Sequence, residues 1–291
     1  MNSTPLVSVI IPTFNRITYL EDAIKSVDHQ TYRCFEILVI DDGSNEDYAK
    51  SICDKYNNCK YLYKENGGLS SARNFGIKHA KGAYIALLDD DDIWLKHKLE
   101  KQVTLLLNHK DVYLVHSAAE VIKNDGRKTG EIIGASSNKA YKRSGNVFWN
   151  ALGRWVVKSP TPLIRKEAFE SDLMFDENIK IGEDLDFYQR FFYRYRVLYI
   201  NEPLAQYRDH EDKKRLSLMR KKYIGIENKI YKNFKNMGVN NPFVLYRIAR
   251  RLLVQAERNW SRVYGENKKI ISKFDRVCRP SKALKLFEKY N

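Results

Sequence analysis

The chain has 291 residues, which is long enough for one large domain or for one domain plus an appendage. Its hydrophobic content of 43% is ordinary for a globular protein. Its four cysteines lack paired metal-ligand spacing and argue against a disulfide framework, so we expect a reducing cytoplasm, and residues 1–6 show no signal-peptide pattern. The net charge of +15 arises wholly within residues 208–291, which hold 23 Lys and Arg against 8 Asp and Glu, and no stretch approaches the ~20 apolar residues of a membrane span.

Short apolar runs alternate with helical patterns over residues 7–118. Strands are predicted at residues 7–12, 35–40, 60–63, 83–88 and 113–118, and helices at about 18–30, 46–56, 69–80 and 94–108. This alternation is typical of a parallel, doubly wound α/β sheet. Right-handed crossovers would bring the loops after the first four strands to one edge of that sheet, which is where such folds bind ligands.

Each of these four loops is polar, and the last one contains an acidic run. The loops are residues 13–16, 41–44, 66–68 and 89–92. Residues 89–92 are four consecutive aspartates, whose carboxylates repel one another unless a cation neutralises them. Oxygen ligands suit hard cations such as Mg²⁺ or Mn²⁺, whereas the plainer alternative is a solvated acidic loop.

Beyond residue 120 the pattern is mixed. We predict a hairpin with strands at 120–123 and 127–133 around the turn Asn124-Asp125-Gly126, helices at 146–155 and 185–195, and short strands at 162–165 and 197–200. The sequence Gly182-Glu183-Asp184 opens the second of these helices. We expect this half to pack on the first sheet and to complete one cleft.

The region from about residue 216 onward is predicted to be helical and basic. Within it, apolar side chains recur on one helix face at 3.6-residue spacing, namely Leu245, Ile248, Ala249, Leu252, Leu253, Ala256 and Trp260. The opposite face carries Arg247, Arg250, Arg251 and Arg258. Such a helix suits the surface of an anionic bilayer, or else its apolar stripe packs on the protein as a cap or dimer contact. A nucleic-acid partner is disfavoured because no recognisable module accompanies the charge.

Five motifs follow one another along the chain: V-S-V-I-I-P-T-F-N-R at 7–16, V-I-D-D-G-S at 39–44, N-G-G-L-S-S-A-R-N-F-G-I at 66–77, L-L-D-D-D-D-I-W at 87–94 and G-E-D at 182–184. Together they resemble the family-2 inverting glycosyltransferases of the GT-A fold, over residues 7 to about 217. The resemblance implies an α/β fold with a Rossmann-like, mostly parallel sheet flanked by helices and a C-terminal helical extension. We therefore expect a catalytic domain at 1–215, with a nucleotide-binding half at 1–119 and an acceptor half at 120–215, followed by a basic helical region at 216–291.

The resemblance also implies which residues bind the donor and a metal ion. Asp91 and Asp89 of the D-x-D pattern, together with His210, are the implied ligands of Mn²⁺ or Mg²⁺, and Asp89 or Asp90 is the alternative contact to the ribose. Asp42 resembles the aspartate that accepts a hydrogen bond from the uracil imide N–H. The full implied substrate-binding set is Pro12, Thr13, Asn15, Arg16, Asp42, Asn66, Arg73, Asp89 and Asp90.

The implied catalytic residues are Asp184 and its neighbour Glu183. Asp184 matches the family's general base, which must reach the acceptor hydroxyl within a hydrogen bond. Two acidic residues at a helix N-terminus are alternatively partners of the helix dipole. Arg73 is expected to make a bidentate contact with a phosphate or to support the pocket of the nucleotide base. The alternative is that Arg73 forms a surface salt bridge.

The resemblance implies transfer of a sugar from a UDP-sugar to a hydroxyl of a saccharide acceptor, with inversion. We expect the acceptor to be lipid-linked, in bacterial surface polysaccharide synthesis (O-antigen, capsule or lipooligosaccharide), with the protein cytoplasmic or on the inner face of the cytoplasmic membrane. Two alternatives for the function are left open: a soluble or protein-bound acceptor, and a catalytically silent sugar-nucleotide-binding scaffold. The sequence also leaves open whether the protein forms a homo-oligomer. A dehydrogenase and a P-loop NTPase are disfavoured because their glycine-rich motifs are absent from the sequence.

Overall fold

The structure is a computed structural model that describes residues 4–210, 220–265 and 271–288. Within these ranges the strands are β1 (Val7–Thr13), β2 (Phe35–Asp41), β3 (Cys59–Tyr63), β4 (Tyr84–Leu87), β5 (Ile93–Trp94), β6 (Val112–Ile122), β7 (Lys128–Ile133), β8 (Leu163–Arg165) and β9 (Arg196–Arg208). The α-helices are α1 (Ile17–Asp28), α2 (Tyr48–Cys53), α3 (Leu69–His79), α4 (Lys98–Asn108), α5 (Phe148–Ala151), α6 (Glu167–Glu170), α7 (Glu183–Arg194), α8 (Ile226–Asn236), α9 (Pro242–Tyr264), α10 (Lys273–Cys278) and α11 (Pro280–Glu288). Short 3₁₀ helices span Ser137–Arg143 and Arg220–Tyr223.

All of these strands belong to one sheet in the order β3-β2-β1-β4-β8-β6-β9-β5, with β7 paired to β6. β1 to β4, β6 and β9 run in one direction, because β8 is antiparallel to both β4 and β6. The sheet is therefore mixed but mostly parallel, which confirms the predicted fold class. The carboxyl ends of β1, β2, β3 and β4 lie at one edge, as the βα alternation predicted.

Two hydrophobic clusters cover the two faces of the sheet. In β1, Val7, Val9 and Ile11 face one cluster, with α1, α2 and α4, while Ile10 faces the other, with α3 and α7. This alternation follows from the two-residue period of a strand. Helices on both faces explain why β1, β2 and β4 read as continuous apolar runs.

Four elements differ from the sequence prediction. The helix predicted at 94–108 begins at Lys98, because Ile93 and Trp94 pair with β9 as an edge strand. The strand predicted at 197–200 extends over Arg196–Arg208, since it pairs along most of β6. The strands predicted at 113–118 and 120–123 form the single strand β6, and β8 lies between it and β4.

The fourth difference is the helix predicted at 146–155, which is only the single turn Phe148–Ala151. Leu152 ends it with a non-helical ψ of 120°, and Gly153 follows with φ of 78°, a left-handed conformation that glycine adopts readily. The chain then runs as a loop through Trp155, which the prediction had placed within the helix.

The C-terminal helices share the core of the preceding region. The apolar stripe of α9 is buried at Ile248, Leu252 and Trp260, in the same cluster as Phe187 of α7. The interpretation that this stripe packs on the protein is therefore confirmed. The predicted boundary at residues 215–216 and the predicted helical start at 216 lie outside the described residues. No helix in the described ranges is both long enough and apolar enough to cross a bilayer.

Candidate functional site

The loops after β1 and β2 are joined by side-chain hydrogen bonds. The buried Thr13 hydroxyl lies 2.8 Å from the hydroxyl of Tyr48 at the start of α2. Asn15 has a left-handed backbone (φ 50°), its N–H donates to Ser44 Oγ at 3.0 Å, and its Oδ1 accepts from the N–H of Asn45 at 2.8 Å. Asn tolerates this conformation better than most residues, so Asn15 fixes the loop shape.

Asp42 holds the loop that follows β3. Its buried carboxylate accepts the backbone N–H groups of Gly67 at 3.0 Å and Gly68 at 2.7 Å, and it pairs with the Lys64 ammonium at 2.6 Å. The side chain of Asn66 donates to the backbone carbonyl of Asp42 at 2.8 Å. These contacts fix the shape of the loops after β2 and β3 before any ligand binds.

The acidic run alternates between buried and partly exposed side chains. Asp90 accepts a hydrogen bond of 2.7 Å from Thr13, and its other oxygen lies 3.2 Å from the Arg16 guanidinium. Burial raises the pKa of Asp90 to about 7, against the lowering effect of the Arg16 charge. Asp92 accepts the backbone N–H of Arg208 at 2.8 Å, and burial raises the pKa of this carboxyl well above its ordinary value.

Asp91 meets His210 across the cleft edge. His210 Nε2 lies 2.8 Å from Asp91 Oδ2, and the same oxygen contacts Arg16. Burial opposes ionisation of Asp91, but the hydrogen bond with His210 and the charge of Arg16 outweigh it and lower the pKa of this carboxyl. His210 Nδ1 lies 2.9 Å from Asn124 Oδ1, so each ring nitrogen of His210 faces a side-chain oxygen.

The chemistry of this pair fits a divalent ion that shares its shell with a substrate. Among the residues described, no three His, Cys, Asp or Glu side chains converge as a complete metal site. A carboxylate oxygen and an imidazole nitrogen suit Mn²⁺, and an ion held by one or two protein groups completes its shell with water and phosphate oxygens. Asp91 and His210 therefore fit the metal that the sequence predicted.

Arg73 joins the acidic run to the start of α7. It is 2% exposed, with Nη2 2.8 Å from Asp89 and 3.1 Å from Ser159 Oγ, and with Nη1 3.0 Å from Glu183. Burial acts to lower the pKa of Arg73, but the charges of Asp89 and Glu183 outweigh it and raise it. Burial and the neighbouring charge of Asp184 raise the pKa of Glu183 to about 7. The guanidinium is thus a buried bridge between carboxylates instead of a surface salt bridge.

Asp184 keeps access to the cleft. Its Oδ1 accepts the N–H of Leu185 at 2.7 Å and the indole N–H of Trp155 at 3.3 Å. Two hydrogen bonds of the buried Gln189 clamp the loop before Trp155, since its Oε1 accepts from Gly153 at 3.2 Å and its Nε2 donates to the carbonyl of Arg154 at 3.1 Å. Helix α7 therefore carries the candidate base and also positions the indole that touches it.

Side chains from each of these loops, from α3 and from the start of α7 line one cleft of about 1420 Å³. That volume exceeds the ~300–1,000 Å³ of a site for a single small ligand, so the cleft has room for two substrates. Every predicted site residue except Asn15 lines it, namely Pro12, Thr13, Arg16, Asp42, Asn66, Arg73, Asp89, Asp90, Asp91, Glu183, Asp184 and His210.

Several cleft residues were missed by the sequence analysis. Trp155 was assigned to a helix, and nothing in its neighbours signals a contact with Asp184, 29 positions away. Asn124 was read only as a turn residue, although its side chain contacts His210. Arg262 of α9 also lines the cleft, from the region that the resemblance left out.

Comparisons of the sequence identify a family over more than half of the chain. The model described as "Glycosyl transferase family 2" matches residues 8–172. An uncharacterized glycosyltransferase of Rickettsia prowazekii is 35% identical over 217 residues, covering 71% of this chain and 65% of the relative. The minor teichoic acid biosynthesis protein GgaB of Bacillus subtilis is 35% identical over 193 residues, covering 61% of this chain and 20% of GgaB. An uncharacterized glycosyltransferase of Rickettsia conorii is 39% identical, and this chain spans only 29% of its length.

Comparisons of the structure give the same fold. The S. aureus TarS fragment 1–349 in complex with UDP-GlcNAc superposes with a TM-score of 0.67 at 20% identity, covering 94% of this chain and 79% of the fragment. The mannosyltransferase PcManGT from Pyrobaculum calidifontis, in complex with GDP-Man and Mn²⁺, superposes with a TM-score of 0.60 at 16% identity, covering 99% of this chain and 83% of PcManGT. At these identities the likeness establishes the fold alone.

Proposed function

The chain belongs to glycosyl transferase family 2, and from that premise we propose that it transfers a sugar, with inversion, from a UDP-sugar to a hydroxyl of a saccharide acceptor. The contact that carries the proposal is the buried bridge of Arg73 between Asp89 and Glu183. It joins the end of β4, where the leaving diphosphate would lie, to the start of α7, where a base can meet the acceptor.

The donor would bind at the loops after β1, β2 and β3. Asp42 and Asn66 line this end of the cleft, and the backbone around them is fixed by hydrogen bonds to Gly67 and Gly68. A preorganised pocket loses less conformational entropy on binding. The UDP-GlcNAc bound to TarS, a protein of the same fold, supports a uridine nucleotide as the donor.

The leaving group must gain negative charge as the bond from the sugar to the diphosphate breaks. Asp91 and His210 are the residues that would hold Mn²⁺ or Mg²⁺, and the ion would supply positive charge to the departing phosphate oxygens. Arg16 contacts the same carboxylate and would remain close to the diphosphate as a second positive group. The Mn²⁺ in PcManGT, which shares the fold, supports this choice of metal.

Asp184 would act as the general base. It would accept the proton of the acceptor hydroxyl as that oxygen forms its bond to the anomeric carbon and the bond to the diphosphate breaks. The side chain is only partly buried and lines the cleft, whereas Glu183 is paired with Arg73. Asp184 is therefore the carboxylate available to an incoming acceptor.

The proposal extends to the acceptor and the location. The name of GgaB supports a role in synthesis of a bacterial surface polysaccharide, and a lipid-linked acceptor would bring the protein to the cytoplasmic face of the membrane. The apolar stripe of α9 is buried, so any contact with anionic lipid would use the exposed arginines of that helix.

A panel of UDP-sugars tests the proposal. UDP-glucose, UDP-galactose, UDP-N-acetylglucosamine and UDP-N-acetylgalactosamine are each incubated with the protein and Mn²⁺, and UDP release is measured with and without chelator. We expect one or two donors to release UDP in the presence of metal. Absence of binding to UDP and to every donor by a folded protein would overturn the proposal. Donor binding with no turnover, unchanged in Asp184→Asn, would instead identify a silent scaffold.

A further inference from the structure

One polar face of α9 runs along the end of the cleft that holds Asp184. Gln255, Asn259 and Arg262 are four and three positions apart, which places them on one side of the helix. A Cβ added to Gly153 would lie 3.2 Å from Cβ of Gln255, so this face abuts the loop that carries Trp155.

Asn259, on the same face of α9, connects this face to α8. Asn259 donates to Glu227 in the first turn of α8 at 2.6 Å, and the preceding Ile226 packs against Gly182 at the start of α7. Asn259 and Arg262 both line the cleft. These links place α9 at the base end of the cleft.

Trp155 offers a flat apolar surface at the same end. Its side chain is 45% exposed even though its indole N–H is used by Asp184. The ring of Tyr223 meets it edge-on, with centroids 5.5 Å apart. An exposed indole face suits the apolar face of a sugar ring, because an aromatic ring contributes a large contact area at small entropic cost.

The cations at this end are suited to a negative group. Arg220 and Arg262 line the cleft, and within residues 4–210, 220–265 and 271–288 neither guanidinium has a carboxylate partner. The planar guanidinium of Arg can donate two parallel hydrogen bonds to the oxygens of a phosphate or a carboxylate.

We propose that the acceptor is an anionic saccharide, whose ring stacks on Trp155 and whose phosphate or carboxylate group binds Arg262 with support from Arg220. This inference rests on the proposed function, because it names the acceptor class at the same cleft. It assigns the C-terminal helices a role in selecting the acceptor, which residues 8–172 of the family match do not include.

The test compares charged and neutral saccharides with the donor site filled. The protein is saturated with UDP and Mn²⁺, so that a phosphorylated sugar cannot occupy the nucleotide side. Dissociation constants are then measured by calorimetry or ligand-observed NMR for N-acetylglucosamine 1-phosphate against N-acetylglucosamine, and for glucuronic acid against glucose. We expect at least one charged probe to bind roughly tenfold or more tightly than its neutral partner.

Variants separate the two parts of the site. Arg262→Gln should remove the preference for the charged probe, while Arg258→Gln, an exposed arginine of the same helix that does not line the cleft, should retain it. Trp155→Ala should weaken charged and neutral probes by similar factors.

Each outcome bears on the inference in a different way. A preference for the phosphate probe or for the carboxylate probe supports it and identifies the source of the anion. Equal binding of charged and neutral probes, or a preference that survives Arg262→Gln, overturns it while UDP binding leaves the proposed function standing. Failure to bind UDP overturns the proposed function and this inference with it.

Discussion

Arg73 Nη1 lies 3.0 Å from Oε1 of Glu183, although the two residues are 110 positions apart. Its other terminal nitrogen contacts Asp89, so one guanidinium connects the strand edge with the helix that carries Asp184, the proposed base. A buried charge that loses its partner costs several kcal/mol.

We therefore expect Arg73→Gln to lower the free energy of unfolding by ~3 kcal/mol or more and to abolish turnover. The measurement is urea unfolding together with UDP release. Arg190→Gln is the matched control, because Arg190 is also buried and pairs with Asp186 of α7 but does not line the cleft. It should lose stability and keep UDP binding under native conditions. Normal turnover in a folded Arg73→Gln protein would contradict the bridge as a part of the site.

Asp184→Asn should lower kcat by roughly 10²- to 10⁴-fold, because the amide cannot accept the proton of the acceptor hydroxyl. An Asn oxygen still accepts from Leu185 and Trp155, so the fold and the affinity for UDP should be unchanged. Steady-state kinetics and UDP titration measure the two effects. Glu183→Gln is the companion variant, and the assignment is reversed if it is inactive while Asp184→Asn retains activity.

Asp91→Asn and His210→Gln should each weaken Mn²⁺ binding, since each removes one of the two groups 2.8 Å apart that fit the ion. Electron paramagnetic resonance of Mn²⁺ in the presence of UDP measures this without relying on turnover. Asp125→Asn, in the exposed turn beside Asn124, is the control and should bind as the unaltered protein does. Tight Mn²⁺ binding in both variants, or full activity of the unaltered protein in chelator, would rule out this metal site.

Glu227 makes stability depend on pH at a place away from the acidic run. It is fully buried and accepts a hydrogen bond from Asn259, and burial raises its pKa from 4.5 to about 7. The folded state therefore holds the proton of Glu227 more tightly than the unfolded state does. The stabilisation that this tighter binding contributes is complete below pH 4.5 and is lost as the pH rises through about 7.

Glu227→Gln should therefore be more stable than the unaltered protein at about pH 8, by on the order of 3 kcal/mol, with a smaller difference at low pH. The Gln oxygen can still accept from Asn259. The measurement is the difference between the two unfolding curves across this pH range, which cancels the other titrating groups. A difference that does not change with pH would show that Glu227 titrates normally.

The exposed arginines of α9 predict salt-sensitive binding to anionic vesicles. Each Lys or Arg close to such a surface contributes about 1 kcal/mol, and salt screens the interaction. The test is sedimentation with vesicles that contain or lack anionic lipid, at low and high salt. The variant replaces by Gln the residues Arg247, Arg250, Arg251 and Arg258.

A charge-matched control replaces four exposed basic residues elsewhere, namely Arg33, Lys78, Lys110 and Lys128. Binding should weaken in the α9 variant and persist in this control. Equal, negligible binding to both kinds of vesicle would contradict the predicted membrane contact. The role of α9 would then be to pack on the core.

Sequence alone was sufficient where the signal is local. The strand runs that end in Thr13, Asp41 and Leu87 could be read from continuous apolar residues, and parallel topology then brings their loops to one edge. The apolar stripe on α9 could also be predicted, because its residues recur with a clear helical period. Only the structure shows that the stripe is buried.

Tertiary structure decided which side chains meet. Trp155 leaves its predicted helix because the chain turns at Leu152 and Gly153. Gln189 then clamps the loop whose indole contacts Asp184. Arg73 could have bound phosphate or solvent, and only the tertiary arrangement that brings Asp89 and Glu183 to the same guanidinium makes it a bridge. Periodicity fixes the face of an element on which a residue lies, whereas contacts between distant elements depend on how the whole sheet and its helices pack. The end of the cleft that holds Asp184 is assembled from α7, the loop at Trp155 and α9, and therefore could not be predicted from any local pattern.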